Sequence, residues 1–122
     1  MASRFDLSKL RDALETSNLE GIMECYADDA EITVIDRTHQ PTHPLALRGR
    51  DQIRSFYQDI CGREMTHRMD HEVSSNGHVS FVEECEYPDG CHVMAAQFLD
   101  LNRGKIARQL VVQAWDETAA QK

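Results

Sequence analysis

The sequence predicts an α+β domain in which three N-terminal helices back a curved antiparallel sheet of about six strands. Two observations carry this. Apolar residues recur at helical spacing through most of the first half of the chain, whereas four long stretches after Cys61 alternate apolar with polar residues. Those stretches are separated by "SNG", "PDG" and "NRG", glycine-containing turns of the kind hairpins use. Helices first and a meander of strands afterwards leave the helices on one face of the sheet.

In order, Leu7, Leu10, Ala13 and Leu14 place an amphipathic helix over 5–17. Asn18 caps a second, shorter helix, "LEGIMECYA". "AEITVID" alternates as a strand, with Ala30, Ile32, Val34 and Asp36 on one face. The prolines of "RTHQPTHP" make a loop, "LALRG" is a short strand, and "RDQIRSFYQDIC" is the third helix. Strands follow over 65–75, 78–87, 91–101 and 105–115, and the final "ETAAQK" reads as a frayed tail.

A chain of 122 residues, 41% hydrophobic and 28% charged, fits a single domain spanning 1–122. The net charge of -8, without a basic run, argues against nucleic acid and against an anionic membrane surface. "MASRFDLSKL" lacks the apolar region of a signal peptide, so the cytoplasm is the expected compartment. Cys25, Cys61, Cys85 and Cys91 never form C-x-x-C and read as small buried hydrophobes. A zinc site would need close-spaced Cys and His pairs, so neither metal nor cofactor is expected.

"MTHRMDHEV" is the unusual stretch. Alternation puts Met65, His67, Met69, His71 and Val73 on the inward face, so two imidazoles sit where apolar side chains belong. On the next strand Glu83 shares its face with Val79, Phe81, Cys85 and Tyr87. On the last strand Gln109, Val111, Gln113 and Trp115 form one face, and Leu110, Val112 and Ala114 belong to the other.

"NLEGIMECYADDAEITVID" followed by "LRGRDQIRSFY" resembles the nuclear transport factor 2-like superfamily, which includes the SnoaL-like cyclases, ketosteroid isomerases and scytalone dehydratase. The resemblance covers residues 5–117 and implies a cone-like barrel with a deep apolar pocket open at one end. Asp36 falls near the isomerases' catalytic base, while their oxyanion donors fall on Leu10 and about Ala96, which cannot serve. "THRMDH" is similar to the dehydratase segment whose histidine lines the pocket. That places His67 in the site and gives Glu15 the orienting carboxylate, although the dehydratase tyrosines have no counterpart near Val34 or Leu14. The resemblance also makes the glutamine face of the last strand the inner one.

Several polar groups then converge on an apolar cavity, the usual form of a small-molecule site. A carboxylate and an imidazole placed together there favour each other's charged forms and can move a proton near neutral pH. Asp36 with His67 is the first choice for this catalytic pair. Glu83 with His92 or His71 is the second, and Tyr57 on the third helix could donate into the pocket. His67 and His71 lie about 13 Å apart along a strand, so at most one acts. Blander readings stand beside these. Asp36 could cap the loop, Glu15 could pair with Arg11, His71 could be a satisfied core histidine, and Glu83 could meet Arg68 or Arg108.

Two functions follow. One is a small cofactor-free enzyme doing isomerisation, cyclisation or dehydration on an apolar oxygenated molecule. The other is a ligand-binding or assembly module without turnover. Leu110, Val112 and Ala114, with Val93 and Leu99 beside them, would form an outer apolar patch through which the chain pairs as a homodimer.

Overall fold

The computed structural model describes residues 4–117, so the expected tail over 117–122 lies, except for Glu117, outside the described residues. Helix α1 (Leu7–Glu15) begins where the Asp6 side chain accepts from the Lys9 N–H at 3.2 Å, and it buries Leu10, Ala13 and Leu14. The Asn18 side chain accepts from Gly21 N–H at 3.1 Å to cap α2 (Leu19–Met23), which buries Ile22 and Met23. This helix is shorter than its sequence suggests. The Cys25 carbonyl accepts from Ile106 N–H at 2.8 Å, and the chain is already extended at Tyr26. Sheet pairing therefore overrides helical propensity there.

Strand β1 (Tyr26–Ile35) leads through a loop to β2 (Leu45–Arg48), and helix α3 (Gly49–Cys61) follows directly. The meander is β3 (Thr66–Ser75), β4 (His78–Glu86), β5 (His92–Asn102) and β6 (Lys105–Trp115). Arg103 and Gly104 between the last two both have positive φ, the backbone a two-residue hairpin turn demands. The six strands lie in the order β2-β1-β6-β5-β4-β3. The fold is α+β as expected, with one departure: β6 runs antiparallel to β5 but parallel to β1. Alternation sees burial, not direction, so the parallel seam leaves no mark in the sequence.

Helix α1 packs on β3 and α3 on β1. Between helices and sheet lie Ile22, Met23, Ile32, Val34, Ile53, Leu99 and Ile106, all essentially sealed from solvent. At roughly 1.5–3 kcal/mol for each large apolar side chain, this layer is the main force holding helices to sheet.

Two sequence expectations fail within the sheet. Val93 and Leu99 face inward, not outward. The outer face of β5 instead presents Met94 and Phe98, 48% and 50% exposed, beside Leu110 and Val112 of β6. Strand β3 also breaks its own alternation. The β3–β4 register shifts between Asp70 and Val73, and His71 takes φ 54°. Past this bulge the faces exchange: His71 and Val73 turn to solvent, and Glu72 turns to an ion pair with Arg11.

Candidate functional site

The start of β3, the end of β4, the start of β5 and the end of β6 meet the C-terminal half of α3 around a chamber of about 50 Å³. Its wall is mostly apolar, with Phe56, Ile60, Met65, Val93 and Val111 among its members. Strand alternation adds His67 from β3, Glu83 and Cys85 from β4, and Gln97 from β5. A larger vestibule of about 580 Å³ shares Phe56, Ile60, Arg63, Tyr87, Gln113 and Trp115 with the chamber. Asp36, Arg37 and Thr38 line its outer part, where the Arg37 guanidinium lies 3.9 Å from the centre of the Trp115 ring.

His67 and Glu83 are 8% and 7% exposed, and His67 Nδ1 lies 2.8 Å from Glu83 Oε2. The other carboxylate oxygen, Oε1, accepts from Gln97 Nε2 at 2.7 Å. Gln97 Oε1 accepts from Gln109 Nε2 at 2.6 Å, the Tyr26 hydroxyl donates to Gln109 Oε1, and the Tyr57 hydroxyl lies 2.7 Å from that of Tyr26.

One group sets the direction of this chain. An ionised carboxylate only accepts, so Gln97 must present its NH₂ to Glu83 and its carbonyl to Gln109. The same demand passes along, and every hydrogen bond from Tyr57 inward points toward Glu83. Desolvation pushes the Tyr26 and Tyr57 hydroxyls far above the usual phenol range, so both stay protonated donors. The Cys85 thiol is also raised, by burial and then by the negative charge of Glu83. Its Sγ lies 3.3 Å from His67 Nδ1 and 3.7 Å from Glu83 Oε2.

Glu83 accepts at Nδ1, which places the proton of a neutral imidazole there. Among the described residues Nε2 makes no protein hydrogen bond, and no sealed side-chain nitrogen or oxygen lacks a partner. Nε2 is therefore open to the chamber that His67 lines. An imidazole held at one nitrogen by a carboxylate and open at the other can take a proton from a bound molecule and return it.

The expected pairing of Asp36 with His67 is not what the structure contains. Asp36 Oδ1 accepts from Thr38 N–H at 2.9 Å and lies 2.9 Å from His39 Nδ1, so a four-residue turn satisfies it locally. Burial pushes the Asp36 carboxyl up, but the hydrogen bonds from Thr38 and His39 outweigh this and hold it below its ordinary value. Three other expected wall residues lie elsewhere. His71 is exposed beyond the bulge. His92 is exposed at the start of β5, 3.4 Å from Glu86 and 3.6 Å from Asp116, so it does not meet Glu83. Glu15 accepts from Met69 N–H at 2.9 Å, pinning α1 to the edge of the sheet outside the chamber. Tyr57, Glu83, Gln113 and Trp115 do line the chamber, while Gln109 lies behind its wall.

Sequence reasoning missed Gln97 and gave Cys85 only a packing role. Both had a signal: Glu83-x-Cys85 on one strand and Val93-x-Ala95-x-Gln97 on the next share the inner face.

Residues 7–109 match the SnoaL-like domain. The chain belongs to that family. Among solved structures, a candidate ketosteroid isomerase from Kribbella flavida is 16% identical, with TM-score 0.74 over 92% of this chain and 76% of that one. A nuclear transport factor 2-like protein of unknown function from Mesorhizobium loti is 12% identical, with TM-score 0.75 over 88% and 87% of the two chains. A loop-truncation variant of IdmH is 17% identical, with TM-score 0.69 over 88% of each. At such identities the likeness is one of fold: the SnoaL-like domain has the nuclear transport factor 2-like architecture. No curated protein matches the chain by sequence. None of the helices among the described residues is long and apolar enough to cross a membrane.

Proposed function

We propose that this SnoaL-like protein is a small enzyme that moves a proton on an apolar, oxygenated molecule, in an isomerisation, cyclisation or dehydration. The observation that carries the reading is the orientation of His67, held at Nδ1 by Glu83 with Nε2 toward the chamber. In this reading Nε2 removes a proton from a carbon or hydroxyl of the bound molecule. Glu83 stabilises the imidazolium that forms, and Nε2 returns the proton elsewhere on the same molecule. Gln97 is a positioning residue, since it fixes the carboxylate. The apolar wall excludes water and strengthens both interactions. A chamber of about 50 Å³ takes only the reacting end of a substrate, and the remainder lies in the vestibule.

A benzisoxazole that ring-opens when a base removes its one acidic C–H tests this without knowledge of the natural substrate. The protein should accelerate the opening. His67→Ala should lose that acceleration, and Glu83→Gln should reduce it. An acceleration that survives His67→Ala overturns the reading.

A pairing of two copies through Met94, Phe98, Leu110 and Val112 is part of the proposal. Four large apolar side chains left on one outer face support it. The same fold and face would equally serve a ligand-binding module without turnover, which is the outcome if no base-dependent rate is found.

A further inference from the structure

We infer that His67, Glu83 and Cys85 form a binding site for a thiophilic divalent cation of the zinc type, and that the cation silences the imidazole as a base. Their donor atoms all lie within 4.8 Å of one another, and all three side chains are buried in the chamber wall. The sheet produces this cluster. His67 is directly opposite Cys85 in the β3–β4 register, and Glu83 is the next residue along β4 on the same face.

The spacing suits a tetrahedral cation. With bonds of about 2.0–2.3 Å to nitrogen, oxygen and sulfur, the ligands of such an ion stand about 3.3–3.6 Å apart. Here the three separations are 2.8, 3.3 and 3.7 Å. Only the first must widen, by roughly half an ångström, when a metal replaces the proton between His67 and Glu83.

Charge and support agree with this. A cation bound there deprotonates the Cys85 thiol and offsets the repulsion its thiolate would meet from the Glu83 carboxylate. One divalent cation with one thiolate, one carboxylate and a neutral imidazole is electrically neutral. Glu83 Oε1 is already held by Gln97, leaving Oε2 aimed at the cluster, the outer support that metal-binding carboxylates use. A tetrahedral ion held by three protein ligands would complete its shell with one water. Zinc–sulfur, zinc–nitrogen and zinc–oxygen bonds form, and the thiol proton leaves to solvent. The imidazole stays neutral by carrying its proton on Nε2 instead of Nδ1, so one proton is released per cation. With Nε2 protonated the base has no lone pair facing the chamber. Binding itself stands apart from the proposed activity, whereas the silencing rests on it.

The test uses the full-length protein, stripped with a chelator. Zn²⁺ alone is titrated by calorimetry in two buffers of different ionisation enthalpy, and Co²⁺ alone is followed by absorption. The expected result is one cation per chain, one proton released, and a thiolate-to-cobalt charge-transfer band with the visible bands of tetrahedral cobalt. Cys85→Ser should abolish the charge-transfer band, and the Cys61→Ser/Cys91→Ser double variant should keep it. Gln97→Leu should keep the band and weaken Zn²⁺ roughly 10–100-fold. Where Cys85→Ser does not fold, Glu83→Gln takes its place and should weaken Zn²⁺ binding more than Gln97→Leu does. A wild-type protein without the charge-transfer band, or a band that survives Cys85→Ser, overturns the site. A base-catalysed rate unchanged at saturating Zn²⁺ overturns the silencing alone. Loss of the benzisoxazole reaction from the metal-free protein would instead count against the proposed function and leave the cation site standing.

Discussion

Two of the molecule's carboxylate–imidazole pairs are of nearly equal length, and they have opposite meanings. Glu83 and His67 lie 2.8 Å apart inside the chamber, and Asp36 and His39 lie 2.9 Å apart at the vestibule. The first pair joins neighbouring strands across 16 positions of chain, and the second closes a turn across three. In the first, the sheet fixes both partners and little water competes, so the interaction is strong and its loss leaves polar groups stranded. In the second, the turn brings the groups together and solvent reaches both. Contact distance does not separate the two. Burial and chain separation do.

The largest test of that contrast is stability. Glu83→Leu removes the acceptor of both His67 and Gln97 and should cost about 3–5 kcal/mol, the usual loss on breaking a buried pair. Asp36→Leu should cost about 1 kcal/mol or less, as exposed pairs do. Urea unfolding of the two variants measures both, and equal losses would erase the distinction.

Activity should separate the pairs in the same direction. His67→Ala should slow the benzisoxazole opening by roughly 10²–10⁴-fold, the range of a lost general base. His39→Ala should change it by about threefold or less, since His39 is not in the chamber wall. A larger effect at His39 would move the chemistry out to the vestibule.

The outer surface extends the comparison to a third environment. Val112→Arg places a charge on the apolar face of β6, and in the proposed dimer that charge would lack a partner. Size-exclusion chromatography should show a shift from dimer to monomer or aggregate. An unchanged dimer elution would place the interface elsewhere.

The smallest effect is a difference in pH response. Folding raises the Cys85, Tyr26 and Tyr57 values, so the stability tied to them is complete below the unfolded values. It falls away as pH rises from about 8.5 toward the folded ones. Folding lowers the Asp36 value, so its contribution is present above the unfolded value of about 3.9 and is lost as pH falls through the folded one. Thermal unfolding across pH should therefore weaken the inner site in alkali and the turn in acid. Removing the alkaline limb of the curve with Cys85→Ala would identify its main source.

How far the sequence could be read follows from the same contrast. Alternation placed His67 and Glu83 on the inner face because His67 precedes the irregularity in β3 and β4 alternates without one. It misplaced His71 and Val73, because one residue at positive φ exchanges the faces of everything after it. The choice of Asp36 over Glu83 came from strand position and family likeness, which are blind to a local turn that satisfies the carboxylate first. The helices, the meander and the family were legible because each rests on many residues at once. The pairing of one histidine with one acid rests on two, and the register that unites them is not periodic.

The parallel seam between β1 and β6 bears on how the chain is made. The sheet's last strand in chain order, β6, lies between β1 and β5, near the middle of the sheet. Until it leaves the ribosome, β1 and β2 can form only a two-stranded ribbon and β3, β4 and β5 only a separate three-stranded piece. Each would expose an unpaired edge. The nascent chain thus carries the open edge of β1 from Ile35 onward and that of β5 as well once Asn102 is made, and a chain that stops before Lys105 keeps both edges unpaired instead of forming a shortened domain.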